Sequence, residues 1–400
     1  MKRFLTAVLV LLPCLMFGGE PLVPANMALL RDLKTAYEKN DPQVARLVGK
    51  YETAAEKVIQ AKAPSVTMKK KLPPSNDKRD YVSLSRYWWP DSMKQDGLPY
   101  VRRDGQVNPE IDDYTDIAYG DKMGHAVELL STLYYITGNE SYAQHCARYL
   151  RTWFTDRKTG MNPNMVFAQF IPGRTTLRGT GLLDGRRFAR ALCFSQLIES
   201  SAAWTPSDRQ ALKAWARAYC YWYENSTQGQ LEHRAKNNHG LWYDVTHLML
   251  LSYLDEREAA ARVIKGDIMD KLDSQIAADG SLPEELARTL SLHYSTFVME
   301  SLTTGNYIAR QLGMSIWTMR TKSGKTAAQC LDFLYPYYLN PTSWPHRQIR
   351  PFDVKRVAVI LYEAGTDLGN TQYVRQAEKV GIDGTSTDTA LLPYYKLRKS

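Results

Sequence analysis

Two short stretches of this chain hold side chains that can move protons and stabilise negative charge. The first is Lys236-Asn237-Asn238-His239-Gly240-Leu241-Trp242-Tyr243-Asp244, where two carboxamides precede an imidazole. The second, Glu284-Glu285-Leu286-Ala287-Arg288-Thr289-Leu290-Ser291-Leu292-His293-Tyr294, adds a guanidinium and a phenol. Taken singly these residues have plain explanations: a helix cap with a half-buried histidine, a local ion pair, a core aromatic. Taken together, Asn238, His239, Arg288 and Tyr294 are the parts needed to eliminate across C4–C5 of a uronic acid. The C5 proton is weakly acidic while the adjoining carboxylate is charged. Donors to that carboxylate stabilise the enolate-like charge as it develops, each contributing about 3–4 kcal/mol. A base must take the C5 proton and an acid must protonate the departing O4. Tyrosine can do both if its pKa of ~10 falls by about two units, a shift that a nearby arginine could supply.

These groups need elements to hold them. Asparagine caps helices by accepting from first-turn N–H groups, so Asn237 and Asn238 are expected to open a helix with His239 and Trp242 on one face. The free N–H groups of such a terminus suit an anion. Pro283 and the acids after it suit a first turn, predicting a helix over 284–312 with Arg288, Leu292 and Ser295 in one stripe. Apolar periodicity of the helical kind also marks 121–137, 140–155, 185–201, 206–225, 238–255, 257–278, 325–338, 353–365 and 370–380. Two further helices fit between residues 26 and 63. Many helix pairs with almost no strand-like alternation predict an all-α toroid of helical hairpins, with the connecting loops at one end lining a groove.

Two segments break the helical pattern. Residues 64–119 are rich in proline, glycine and aspartate, and unpatterned stretches of this length are usually functional. They carry Tyr87-Trp88-Trp89-Pro90-Asp91 and Asp96-Gly97-Leu98-Pro99-Tyr100, which read as a sugar-stacking wall in which Trp88 and Trp89 offer ring faces. The second segment, from Phe170-Ile171-Pro172-Gly173-Arg174 to Arg178-Gly179-Thr180-Gly181-Leu182-Leu183-Asp184, is a glycine-spaced basic loop. No strand precedes it and its spacing fits neither common nucleotide motif. It reads either as a structural turn or as a cationic lip in which Arg174 and Arg178 pair with carboxylates. Asn237, Trp242, His293 and His125 complete the expected substrate contacts.

Composition points the same way. The chain has 400 residues, 44% hydrophobic, with 25 Tyr and 9 Trp and a formal net charge of +9. Rings with polar tips and dispersed basicity favour a polyanionic sugar over nucleic acid, because no dense basic block extends beyond Lys69-Lys70-Lys71. Residues 1–19 read as a signal peptide: Lys2-Arg3, an apolar run, then Gly18-Gly19. The expected setting is periplasmic or secreted, with residues 20–400 forming a single domain that works as a monomer. Cys14 has no small residues before it and is a poor lipidation site. Cys146, Cys193, Cys220 and Cys330 read as buried thiols without metal-ligand spacing, so neither a metal nor another cofactor is expected.

Asn-Asn-His-Gly-x-Trp, the Tyr-Trp-Trp-Pro-Asp and Asp-Gly-Leu-Pro-Tyr loop, Arg-Gly-Thr-Gly-Leu-Leu-Asp, and Pro-Glu-Glu-Leu-x-Arg before Leu-His-Tyr span residues 87–294. In combination they resemble the alginate lyase superfamily, most nearly its secreted bacterial alginate and glucuronan branch. The resemblance implies an (α/α) toroid, Asn238 and His239 as the carboxylate-neutralising pair, Arg288 as the supporting arginine and Tyr294 as the catalytic tyrosine. It says nothing secure about the last hundred or so residues, beyond the motifs. In β-D-mannuronate the C5 proton and O4 share one side of the ring, so Tyr294 could serve both. In guluronate they lie on opposite sides and a second base, His239, is required. Mannuronate-rich alginate is therefore favoured, with glucuronan as the competitor. A glycoside hydrolase would need two facing carboxylates; Asp112, Asp113, Asp116, Glu128 and Asp184 show no obvious pairing. A non-catalytic glycan-binding module would keep the aromatic wall without needing Tyr294.

Overall fold

The computed structural model describes residues 20–399, so the export-type stretch 1–19 lies outside the described residues. The helices in chain order are α1 (Met27–Glu38), α2 (Pro42–Gln60), α3 (Asp116–Thr137), α4 (Glu140–Leu150), α5 (Arg186–Ser195), α6 (Pro206–Asn225), α7 (Thr227–His233) and α8 (Asn238–Tyr253). They continue as α9 (Arg257–Val263), α10 (Met269–Gln275), α11 (Pro283–Leu286), α12 (Ser291–Gln311), α13 (Ala327–Leu339), α14 (Val357–Leu368) and α15 (Thr371–Val380). Their starts are written in the local sequence. Asp41 accepts from Gln43 and Val44 to begin α2, and reciprocal capping boxes, Thr205 with Asp208 and Thr326 with Gln329, begin α6 and α13.

Packing sorts the helices into two layers. α3, α5, α8, α12 and α14 neighbour one another in that order, with α4 behind α3, α6 behind α8, α13 behind α12 and α15 behind α14. The inner helices α3 and α8 are apolar around most of their circumference and bury most of their residues, as helices covered on several sides must. One continuous core runs from Val23 to Leu392. The result is the expected (α/α) toroid. Strands are short and confined to loops: β1 (Val82–Leu84) pairs in parallel with β4 (Phe167–Phe170), β2 (Trp88–Trp89) is antiparallel to β3 (Val101–Arg102), and β5 (Ile382–Asp383) is parallel to β6 (Arg398–Lys399).

The structure departs from the sequence pattern in three places. The expected helix over 284–312 is broken between α11 and α12. Thr289 N–H turns to the Asp104 carboxylate, Leu290 bridges Gln348, and Ser291 N–H donates to the Arg347 carbonyl, so tertiary partners take the donors a continuous helix would use. Arg288 therefore shares no helical stripe with Leu292 and Ser295. The segment 257–278 is interrupted by a π-helical turn, Ile264–Ile268. Helix α7, too short to show a period, was not expected at all.

The long loop is pinned to the toroid by a buried ion pair. Lys69 Nζ lies 2.5 Å from Asp116 Oδ2 at the start of α3, and both side chains are essentially excluded from solvent. The same carboxylate accepts Val82 N–H at 2.9 Å, and Lys69 also donates to the Asp80 carbonyl. Burial pushes the Asp116 carboxyl up to about 6 against the opposing pull of Lys69. Removing one member leaves the other buried and uncompensated. Lys69→Met should therefore cost about 3–5 kcal/mol in urea unfolding, and adding Asp116→Asn should recover much of the loss. An unchanged midpoint in the single variant would count against this anchor.

Candidate active site

Helix α8 begins as its sequence dictates. Asn237 is extended and its side chain accepts from His239 N–H at 3.2 Å. Asn238 is fully buried, and the anion at this terminus is the protein's own: Glu285 Oε1 accepts Asn238 N–H at 2.6 Å. The Asn238 amide nitrogen then spans the same carboxylate, 3.0 Å and 2.9 Å from its two oxygens. The amide nitrogen is thus directed at Glu285, and Oδ1 has no partner among the described residues. The reverse orientation would aim an oxygen at a carboxylate. The expectation that Asn238 donates to a substrate carboxylate is therefore not what the resting site offers; the residue locks α8 onto α11. Burial pushes the Glu285 carboxyl up, opposed by the Asn238 bonds, Arg288 and His239.

His239 is held from the other side. Its Nδ1–H donates to the buried Glu232 carboxylate at 2.6 Å, which fixes the tautomer and leaves Nε2 available. Glu232 belongs to α7, and α7 is clamped to α8 a second time through His233 Nδ1, 3.0 Å from Asp244 Oδ1. Lys271 Nζ, 2.5 Å from Asp244 Oδ2, completes that clamp. Two glycines of the basic loop fit α7 and β4 closely. A Cβ on Gly179 would meet Glu232 N at 2.5 Å, and one on Gly181 would meet the Ala168 carbonyl at 2.2 Å. The glycine spacing serves backbone approach rather than a phosphate.

Tyr294 sits at the base of the cleft, 9% exposed, with its hydroxyl 2.9 Å from that of Tyr87. The Arg288 guanidinium stacks on its ring, 3.7 Å from the centroid. That guanidinium is itself gripped by Asp104, Nη2 to Oδ1 at 2.9 Å and Nε to Oδ2 at 3.2 Å. Burial favours the neutral form of Asp104, yet the Arg288 and Thr289 bonds prevail and hold its carboxyl far below the usual range. Arg288 does not bring the phenol into the neutral range. Burial raises the Tyr294 pKa well above its ordinary value, Tyr87 adds to the rise, and Arg288 only partly offsets it. The resting residue is a phenol.

The cleft encloses about 730 Å³ and is lined by Tyr87, Trp88, Asn237, Asn238, His239, His293 and Tyr294 together with a group of arginines. Arg187 pairs with Asp121 at 3.0 Å, Arg356 with Glu300 at 2.7 Å, and Arg102 with Asp104 at 2.8 Å. Arg86, Arg178 and Arg186 line the same space without a carboxylate partner among the described residues. Arg178 donates to the Ser85 and Thr180 hydroxyls and lies over the Trp88 ring, 5.3 Å from its centroid, and Arg186 stacks over Trp242 and Phe297, each ring centroid 5.3 Å away. Burial lowers the Arg186 pKa to about 10, so it stays cationic at neutral pH while lacking a counterion. Arg356 also donates to His293 Nδ1, which places the histidine hydrogen on Nε2. Burial and the surrounding arginines bring His293 down to about 4, so it is a neutral N–H donor.

The expected contacts divide accordingly. Trp88, Arg178, Asn237 and His293 face the cleft. Arg174 is exposed outside it and stacks on Trp88, 4.6 Å from the ring centroid. Trp89 turns away, donating to the Gln106 carbonyl with Arg103 over its ring, because neighbouring strand residues face opposite sides. Trp242 is packing: its Nε1–H donates to the Phe297 carbonyl. His125 is exposed on α3, away from the cleft. Tyr87, Asp104, Glu232, Glu285, Arg186 and Arg356 were missed as site residues. Tyr87 and Glu285 lay inside motifs already noted, and Arg186 lies just past the basic loop; Asp104, Glu232 and Arg356 come from other segments with no local signal. The four cysteines are buried and unpaired, as expected.

The model of the alginate lyase family matches residues 65–344, which carry every site residue named above except Arg356. The chain belongs to the alginate lyase family. It is a polysaccharide lyase. An alginate lyase from Bacteroides ovatus superposes with a TM-score of 0.87 at 34% identity, covering 94% of this chain and 99% of that one. The alginate lyase A1-III from Sphingomonas species A1, at 16% identity and a TM-score of 0.55, shares the fold over 86% of this chain and 93% of its own. A histidine-to-alanine variant of A1-III has been solved with a tetrasaccharide and matches at the same score, over 85% of this chain and 92% of its own. No curated protein sequence matches the chain. In this family member Glu232→Gln should lower kcat about 10²-fold with little change in KM, because the imidazole loses the charge that orients it. A change confined to KM would remove Glu232 from that role. Arg178→Ala should raise KM and flatten its dependence on salt, since partly exposed charges are screened over ~8 Å at physiological ionic strength. An unaltered salt slope would place the polymer elsewhere.

Proposed function

We propose that this lyase depolymerises alginate by β-elimination, preferring mannuronate-rich blocks and leaving a 4,5-unsaturated uronate at the new non-reducing end. The observation that carries the reading is the meeting of Tyr294 Oη, His239 and arginines without counterions in one cleft. Arg86, Arg178 and Arg186 supply the charge that uronates at successive positions need. Neutral donors such as His293 Nε2–H can face the carboxylate beside the reacting carbon, a role first given to Asn238. On mannuronate, one group on one side of the ring removes the C5 proton and returns it to O4, and Tyr294 is that group. Its phenol must ionise to act as the base, and burial makes that costly. The rate on polymannuronate should therefore keep climbing through the alkaline range as the phenolate fraction rises.

A second reading, opposite-side elimination of guluronate, is favoured by the Glu232–His239 bond. Here His239 Nε2 takes the C5 proton while the Tyr294 phenol protonates O4. The pattern of residues 1–19 supports export, and dispersed basicity supports an acidic polysaccharide rather than nucleic acid.

Following near-ultraviolet absorbance on polymannuronate, polyguluronate and glucuronan tests these assignments. Polymannuronate should give the highest initial rate, and Tyr294→Phe should reduce it at least 10²-fold with the fold intact. His239→Ala should spare polymannuronate relative to polyguluronate. A rate that levels off near neutral pH on every substrate would make His239 the general base. New reducing ends without absorbance would replace elimination by hydrolysis.

A further inference from the structure

On the far side of α8 from the cleft, three side chains of different chemistry converge. Cys220 and Glu224 are one helical turn apart on α6, and His247 reaches them from α8. One ligand atom from each lies within 4.8 Å of the other two. Glu224 Oε1 stands 3.7 Å from Cys220 Sγ and 2.6 Å from His247 Nε2. Glutamate is two-fifths exposed, histidine is 15% exposed and the thiol is nearly buried. The cluster is thus open to solvent on its carboxylate side and closed behind the sulfur. Tyr223 and Tyr243, stacked with ring centroids 4.4 Å apart, flank the imidazole at 6.5 Å and 6.3 Å and restrict its movement.

We propose that Cys220, Glu224 and His247 bind a thiophilic divalent cation of the Zn²⁺ class, cross-linking α6 to α8, the helix that begins with Asn238 and His239. Thiolate, imidazole and carboxylate are the ligands Zn²⁺ takes, and a tetrahedral ion bound at ~2.0–2.3 Å sets its ligands about 3.3–3.7 Å apart. The sulfur–oxygen separation already meets that spacing. The histidine–glutamate hydrogen bond must open by less than about 1 Å, which side-chain rotation on two rigid helices allows. The thiol loses its proton to solvent on binding, and the imidazole frees Nε2 by moving its hydrogen to Nδ1. Three protein ligands leave a fourth position for water on the exposed side. The other thiols lack this setting: Cys146, Cys193 and Cys330 are fully buried in the core. Sequence spacing could not reveal the site, since a helix-turn pair and a residue on another helix form no recognisable motif.

Tag-free protein, stripped with a chelator, should be titrated with Co²⁺ as the probe and then with Zn²⁺. The expected result is one ion per chain, a thiolate-to-cobalt charge-transfer band displaced by Zn²⁺, and a Tm raised by several degrees at saturating Zn²⁺. Cys220→Ser should abolish the band, and Glu224→Gln and His247→Ala should each weaken binding at least tenfold. Lyase activity of the metal-free variants should remain that of the parent, because none of the three faces the cleft. Absence of the band in the parent, or an unchanged Co²⁺ affinity in His247→Ala and Glu224→Gln, overturns the proposal. Should Cys220→Ser fail to fold, those two variants still decide it.

Discussion

The grip of Glu285 on the first turn of α8 is the contact on which the catalytic geometry rests. A buried carboxylate accepts the backbone N–H of Asn238 and lies within hydrogen-bond distance of its amide nitrogen through both oxygens, answering donors that a helix start leaves open. The carboxylate comes from α11, the short helix that leads directly into Arg288. One contact therefore sets the position of His239 on one wall and of Arg288 and Tyr294 on the other. Burial raises the Glu285 pKa and so resists this arrangement; three hydrogen bonds and the positive end of α8 oppose that cost. A longer α11 would carry Arg288 round a helical face and away from Asp104, so the break before Ser291 belongs to the same design.

Much of this scaffold was legible beforehand. The inner and outer helices follow from apolar periodicity, and α8 begins at the asparagine expected to open it, Asn237. The core of the site was legible too, because Asn237 to His239 and Arg288 to Tyr294 are each local clusters. What sequence hid was pairing across distance. Nothing near Glu232 announces that it will meet His239, nor near Asp104 that it will hold Arg288. Those partners also change roles. Asn238 looked like a donor for substrate until Glu285 claimed its hydrogens, and Arg288 looked like the group that would acidify Tyr294 until burial outweighed it. The tandem tryptophans show a simpler limit: composition identified an aromatic wall, but alternation along β2 decided that only Trp88 faces the cleft.

The arginines of the cleft differ in what they can do for a substrate, and the difference lies in their partners. Arg187, Arg288 and Arg356 already have carboxylates, so a uronate that approached them would compete with a bond already formed. Their contribution is a fixed shape and a background potential. Arg86, Arg178 and Arg186 have no such ion-paired partner among the described residues. Arg186 is the extreme case, desolvated enough to lower its pKa to about 10 and stacked on two aromatic faces. A carboxylate reaching it replaces solvation lost on folding, so much of the desolvation cost of that pair is already met before binding. A neutral polysaccharide would find the same cost uncompensated. Selection for an acidic polymer thus follows from leaving some cations unpaired while tying others down, and the total count of positive charge matters less than that division.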